Sequence, residues 1–123
     1  MRTSQQRSGD AAEDGVARTL ADAGWTILAR QVHVGRAELD LIAIDPGPPR
    51  SLVVVEVRWR ARRDFGLPEE TVDWRKRARL RQAAWRWLET ADPPNLPLRF
   101  DLVVVEPGLR ANAPRLRHHR SAF

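Results

Sequence analysis

The sequence predicts an α/β domain in which a mixed β-sheet is flanked by helices, with the element order α-β-β-β-α-β. Two segments, 9–23 and 73–90, repeat apolar residues at helical spacing. Four shorter segments are aliphatic and bounded by turn residues, as strands are: 25–30, 37–45, 51–59 and 98–105. Because a helix connects the third and fourth strands, we expect those two to be parallel and the first three to form an antiparallel meander.

The ends of the elements carry their own signals. Ser8 is a candidate N-cap of the first helix, and Gly24 follows its last apolar residue. The third strand is apolar at nearly every position, which is typical of a central strand covered on both faces. We therefore expect one domain at 9–106, preceded by a flexible leader at 1–8 and followed by a basic, mobile tail at 107–123.

Composition narrows the class of protein. The 123 residues include no cysteine, which excludes disulfides, thiolate zinc sites and cysteine nucleophiles. The N-terminus lacks the apolar stretch of a secretory signal, and no apolar run approaches the roughly 18 residues of a membrane span. We therefore expect a cytoplasmic protein that does not contact membranes.

The charge favours a polyanionic partner. Lysine and arginine total 21 against 16 acidic residues, and Lys76 is the single lysine. Arginine presents a planar, permanently charged group that suits phosphate. An arginine-rich proteome would explain the ratio of arginine to lysine equally well, but it explains the net charge of +5 less well.

Two carboxylates interrupt apolar strands: Asp40 in the second and Glu56 in the third. A hairpin centred near Pro48 would place them opposite each other, with Cβ atoms about 4.5–5.5 Å apart. Such a pair repels unless a proton or a cation lies between the carboxylates, and Mg²⁺ or Mn²⁺ prefers oxygen ligands. Arg58 would lie on the same face as Glu56. The alternative is a simple ion pair between Glu56 and Arg58 at a sheet edge, with Asp40 in solvent.

Several short motifs occur in an order that resembles the bacterial YraN-type family of predicted endonucleases, which resemble archaeal Holliday-junction resolvases. They begin with 9–13 (GDAAE), 37–42 (AELDLI) and 55–60 (VEVRWR). The remaining matches follow in the second half of the chain: Phe65-Gly66, Pro68, Lys76 and 99–104 (RFDLVV).

The resemblance implies a restriction-endonuclease-like fold of the PD-(D/E)XK superfamily, with Glu13, Asp40 and Glu56 as candidate metal-site carboxylates and the Val57 carbonyl as a possible further ligand. Two residues depart from the family pattern. Ala37 replaces the usual glycine, and Arg58 replaces the usual catalytic lysine. Lys76, at the start of the second helix, is a candidate substitute for that lysine.

The second helix also predicts contacts with nucleic-acid phosphates. Its first turn is basic, which opposes the helix dipole unless an anion binds there. The candidate nucleic-acid-binding residues are Arg60, Arg75, Lys76, Arg79 and Arg86. Three functions follow from these patterns: a Mg²⁺- or Mn²⁺-dependent endonuclease on branched or structured DNA, a catalytically impaired nucleic-acid-binding protein, or a structural protein. A homodimer is compatible with all three.

Overall fold

The computed structural model describes residues 4–60, 73–108 and 114–123, and these form a five-stranded mixed sheet with a helix on each face. The elements are α1 (Ser4–Asp22), β1 (Thr26–Val34), β2 (Ala37–Asp45), β3 (Ser51–Trp59), α2 (Trp74–Ala91), β4 (Leu98–Glu106) and β5 (Arg115–His119). The strands lie in the order β1-β2-β3-β4-β5. The predicted α/β class is confirmed, with one strand more than expected.

The pairing of strands also follows the prediction. β1, β2 and β3 form an antiparallel meander, and β3 pairs with β4 in parallel. The β2–β3 hairpin pairs Leu41 with Val55 and Asp45 with Ser51, which is the register expected for a turn centred at Pro48. This register brings Asp40 and Glu56 to neighbouring positions at the far end of the hairpin.

Alternation along the central strand divides the core into two layers. Val53 and Val55 pack with α1, which contributes Val16 and Leu20. On the opposite face Leu52 and Val54 pack with Phe100 and with the inner side of α2, whose buried residues are Leu80, Ala83 and Ala84. Glu56 lies on the same face of β3 as Leu52 and Val54, the face that α2 covers. The strand that builds the core therefore also places a carboxylate beside the start of α2.

The leader prediction was wrong in part, because α1 begins at Ser4 rather than near residue 9. The segment 4–8 is polar, but it contains two glutamines and an arginine, which have good helix propensity, and nothing in it breaks a helix. The predicted loop at 60–72, with Phe65-Gly66 and Pro68, lies outside the described residues from position 61 onward.

The prediction of a mobile tail was wrong for 115–119, where β5 pairs antiparallel with β4 from Leu102–His119 to Glu106–Arg115. The ladder satisfies backbone groups that would otherwise be exposed at the edge of β4. Its sequence, RLRHH, lacks the β-branched residues by which the other strands are recognised. Four of its five partners on β4 are aliphatic, and the fifth is Glu106, whose Oε1 lies 3.6 Å from Arg117 Nε.

Asp101 on β4 ties the end of the chain to the sheet. Its carboxylate is fully buried and accepts hydrogen bonds from Arg99 Nε at 2.9 Å and from the Ser121 backbone N–H at 3.0 Å, and it lies 2.8 Å from His118 Nε2. Burial alone would raise the pKa of Asp101, but these partners outweigh it and lower the pKa to about 2. The carboxylate is therefore charged and compensated, and it joins β4 to the segment around β5.

No helix within the described ranges is long and apolar enough to cross a lipid bilayer.

Candidate active site

A cleft of about 570 Å³ lies between the β2–β3 hairpin and α2, and charged side chains dominate its lining. Its cations come from the β1–β2 turn, β3 and α2: Arg36, Arg58, Lys76, Arg79 and Arg86. Its acids come from β2 and β3: Glu38, Asp40 and Glu56. The three acidic side chains of the cleft are thus surrounded by five cationic ones.

Asp40 and Glu56 form a hydrogen-bonded carboxyl pair in this cleft. The Asp40 Oδ2 atom accepts the Val57 backbone N–H at 2.8 Å, just beyond the last backbone pair of the hairpin, Leu41–Val55. Glu56 is buried, with 5% of its surface exposed, and Asp40 is half-buried. The arrangement excludes the alternative of a solvent-exposed Asp40 beside a simple surface ion pair.

The pKa values of both carboxyl groups in the pair are raised. Burial, and then the neighbouring charge of Glu56, raise the pKa of Asp40 far above its usual range, while the Val57 N–H opposes the shift. Burial also raises the pKa of Glu56, against the opposing charge of Arg58. Two carboxyl groups this close do not both ionise without a compensating cation. Ionisation of the whole pair therefore requires positive charge beside it.

Lys76 supplies part of that charge from the start of α2. Its Nζ lies 2.9 Å from Glu56 Oε1, while Arg58 Nε lies 3.5 Å from the same oxygen. Asp73 caps α2 by accepting the Lys76 backbone N–H at 3.0 Å, which fixes where the helix begins. The Nε of Arg58 is buried without a hydrogen-bond partner. Lys76 therefore lies closer to the Glu56 carboxylate than Arg58 does.

Glu13 approaches the pair from α1. It is half-buried, its Oε1 is buried without a hydrogen-bond partner, and its charge contributes to raising the pKa of Asp40. Burial, and next the charge of Glu38, raise the pKa of Glu13 to about 7, against the charge of Arg30. An uncompensated buried carboxyl oxygen beside two more carboxyl groups is the environment that a bound cation would relieve.

The residues fit a hard divalent cation held chiefly by two carboxylates. Among the residues that the structure describes, no three acidic, histidine or cysteine side chains form a ready-made metal-binding group. Asp40 and Glu56 supply the close pair, and Glu13 acts on it through its charge. Oxygen donors of this kind suit Mg²⁺ or Mn²⁺, which retain several water ligands.

The predicted nucleic-acid-binding residues divide into two groups. Lys76, Arg79 and Arg86 line the cleft. Arg75 is exposed on α2 and lies over the ring of Trp74, outside the lining. Arg60 is buried at the end of β3, where its backbone N–H donates to Val105 O at 2.8 Å, and it is not part of the lining.

Sequence reasoning missed three polar residues of the cleft: Arg36, Glu38 and Gln82. Glu38 had a signal, because period-two alternation places it on the same strand face as Asp40. Arg36 lies in the turn after Gly35, whose φ of 60° suits glycine, and no pattern in the chain relates that turn to α2. A side-chain Cβ at Gly35 would lie 3.6 Å from Arg86 Nη1, so the turn and the helix meet closely across the cleft.

Comparisons with known proteins identify the family. The chain is 41% identical to the UPF0102 protein of Roseiflexus castenholzii over 113 residues, which cover 91% of this chain and 89% of the relative. It is 40% identical to the UPF0102 protein of Nocardia farcinica, with 97% and 91% covered. It is 43% identical to that of Symbiobacterium thermophilum, with 84% and 85% covered. Residues 12–105 match the model described as "Uncharacterised protein family UPF0102", and the chain belongs to this family.

Proposed function

We propose that the protein is a Mg²⁺- or Mn²⁺-dependent endonuclease that hydrolyses phosphodiester bonds in branched or structured DNA. The observation that carries the proposal is the convergence of Asp40, Glu56 and Lys76 in an arginine-lined cleft, with Lys76 Nζ 2.9 Å from Glu56 Oε1. Hydrolysis of a phosphodiester requires a site for a cation, a group that positions or activates water, and positive charge for the phosphate. The cleft contains candidates for all three.

Asp40 and Glu56, with the Val57 carbonyl, would hold the divalent ion. When bound, the ion supplies charge that polarises the phosphate and favours ionisation of a water molecule. Glu13, with its pKa near 7 and an unpaired oxygen, is suited to hold a proton at the edge of the site. Arg79 and Arg86 would bind phosphates on either side of the scissile bond.

Lys76 takes the role that the resemblance assigns to a lysine at position 58. An ammonium group can lose its proton when burial and nearby cations lower its pKa, whereas the guanidinium of Arg58 stays protonated. Arg58 can stabilise negative charge on the phosphate but cannot act as a base. Lys76 contacts Glu56 directly, so it can orient a water molecule next to the carboxylate pair.

A protein that binds nucleic acid without cleaving it is the second candidate. The observation that favours it is Arg58, whose buried Nε has no hydrogen-bond partner and whose position is the usual place of the catalytic lysine. The same cleft would then hold phosphates without turnover. The two functions differ in their response to substitutions at positions 58 and 76.

We expect the wild-type protein to cleave DNA weakly, with Mn²⁺ more effective than Mg²⁺. Lys76→Ala should lower the rate by about 100-fold, the scale of a lost acid–base group, and Arg58→Lys should raise it. The measurement is single-turnover cleavage of labelled four-way-junction, flap and blunt duplex DNA of matched sequence. Arg18→Lys, an exposed change on α1 outside the cleft, is the control. A folded, metal-binding Arg58→Lys variant that cleaves none of these substrates would overturn the enzymatic proposal in favour of binding.

We also expect DNA binding to depend steeply on salt. Each duplex phosphate contact contributes about 0.9 to the slope of log affinity against log salt, so Arg79→Gln and Arg86→Gln should each reduce that slope by about one. The measurement is fluorescence anisotropy from 50 to about 300 mM salt. Arg18→Gln should leave the slope unchanged, because Arg18 lies on α1 and outside the cleft. A wild-type slope near zero would contradict any nucleic-acid function.

A further inference from the structure

Two tryptophans stand on the solvent side of α2. Trp74 is 72% exposed and Trp85 is 59% exposed. Their eleven-residue separation is about three helical turns, which places them on one face of the helix and about 16 Å apart. Large aromatic side chains are rarely exposed to this degree without a partner, and here two are aligned.

We propose that this face of α2 is a stacking platform for unpaired nucleotides, with bases packing on Trp74 and Trp85. The inference rests on the proposed function for the chemical class of its ligand, a nucleic acid. It adds a surface outside the cleft and a preference for substrates that contain a single-stranded segment.

Neighbouring arginines suit this ligand. The guanidinium of Arg75 lies 5.3 Å from the centroid of the Trp74 ring, so it holds the ring in place while most of the indole remains open. Arg81 is exposed and lies between the two tryptophans in the helix sequence, with its guanidinium 6.0 Å from the Phe100 ring centroid. Stacking surfaces interleaved with cations are the arrangement that binds single strands, because bases stack while phosphates meet positive charge.

The charge of α2 also argues against a second copy of the chain as the partner. The helix sequence contains six cations and one acid, Glu89. Packing two such faces against each other would bring like charges together, which is costly, whereas a polyanion is complementary to them.

The expected preference for substrates with a single-stranded segment follows from the position of the tryptophans relative to the cleft. Arg79 and Arg86 line the cleft from the same helix, roughly a third of a turn from the tryptophan face, whereas Lys76 lies about half a turn from that face. A strand that leaves the cleft across α2 would therefore meet the indoles. Bases in a blunt duplex are already stacked on each other, so the platform can engage only unpaired ones.

The test is equilibrium binding without a divalent ion, in EDTA, of fluorescein-labelled oligo(dT) and of a blunt duplex. We expect Trp85→Ala and Trp74→Ala each to weaken oligo(dT) binding about tenfold, within the range for loss of one stacked base. Binding of the duplex should change less than about twofold, because phosphate contacts remain. Trp85→Phe keeps an aromatic face and should stay close to the wild type.

Trp59→Ala is the matched control, since Trp59 is also exposed, at 36%, but lies at the end of β3. Unchanged oligo(dT) binding by Trp85→Ala would overturn the inference. So would a wild-type dimer, seen by sedimentation, that Trp85→Ala converts to a monomer with unaltered DNA affinity. The assay involves no cleavage, so a failure of the proposed hydrolysis and a failure of the stacking platform give different results. Should Trp74→Ala not fold, the comparison of Trp85→Ala with Trp85→Phe decides the question.

Discussion

Asp40→Asn should abolish both divalent-ion binding and DNA cleavage while making the ion-free protein more stable. The substitution removes one of the two carboxylates that would hold the cation. It keeps an oxygen that can accept the Val57 N–H, the backbone contact that Asp40 makes at 2.8 Å. It also removes an ionisable group whose pKa is raised, first by burial and then by the charge of Glu56. A loss of function combined with a gain in stability is the signature of a site that strains the fold.

The gain should depend on pH, with a sign fixed by the pKa shift. Because the pKa of Asp40 is higher in the folded state than in the unfolded chain, the folded protein binds more protons above about pH 4, and its stability falls as pH rises. The Asp40→Asn variant has no carboxyl group at this position, so this fall in stability with rising pH is absent. We expect the variant to match the wild type near pH 4 and to exceed it by more than about 1 kcal/mol at pH 8, since a pKa difference of one between the folded and unfolded states corresponds to about 1.4 kcal/mol.

Urea unfolding at both pH values and Mn²⁺ calorimetry are the measurements. Glu89→Gln, which removes an exposed acid of α2 outside the cleft, is the control for the change in net charge. It should alter neither the stability nor the Mn²⁺ binding. An Asp40→Asn variant that binds Mn²⁺ like the wild type, or that is less stable at pH 8, would contradict the assignment of the carboxylate pair.

Asp101→Ala should cost about 3–5 kcal/mol of stability, the range for removing one partner of a buried charged pair. The carboxylate is fully buried and contacts Arg99, His118 and the Ser121 N–H, so its loss leaves several polar groups without a partner. Urea unfolding measures the cost. Asp14→Ala is the matched control, because Asp14 forms an exposed ion pair with Arg30 and should cost less than about 1 kcal/mol.

The stabilisation by Asp101 should itself depend on pH. Its pKa is lowered in the folded state, so its contribution is complete above about pH 4, the usual range of the unfolded chain, and is lost as pH falls through about 2. The shift corresponds to about 2 kcal/mol, which should be absent from the acid side of the stability profile of Asp101→Ala. A variant with unchanged acid sensitivity would show that the charge of Asp101 does not hold the C-terminal segment.

The hairpin was the most predictable part of this molecule. Two apolar strands separated by Pro46-Gly47-Pro48-Pro49 locate the turn, and a hairpin centred near Pro48 fixes the register. A shift by one residue would turn every side chain to the other face. The proximity of Asp40 and Glu56 is a direct consequence of that register. The bounds of β2 and β3 were accordingly predicted to the residue.

Features that depend on non-local packing could not be predicted in the same way. β5 is held by partners on β4 that are distant in sequence, and its composition resembles that of a loop. The burial of Arg60 depends on where β3 meets β4, not on the residues next to it. Lys76 was a candidate for the site because of its place at the start of the second helix, but only the crossing of α2 over the sheet fixes its distance from Glu56.

The way α2 is attached has a consequence for the local stability of the site. Its fully buried residues are Leu80, Ala83 and Ala84, two of which bury little more than a methyl group, and Trp87 and Leu88 pack against the core while partly buried. Because fewer of its residues are fully buried than in β3 or β4, α2 should open at a lower free-energy cost than those central strands. Lys76, Arg79 and Arg86 of α2 supply much of the positive charge of the cleft. When the helix opens, these three cations therefore move away from Asp40 and Glu56 together. A polyanion bound across the helix would oppose this opening, so the ligand would complete the site that it occupies.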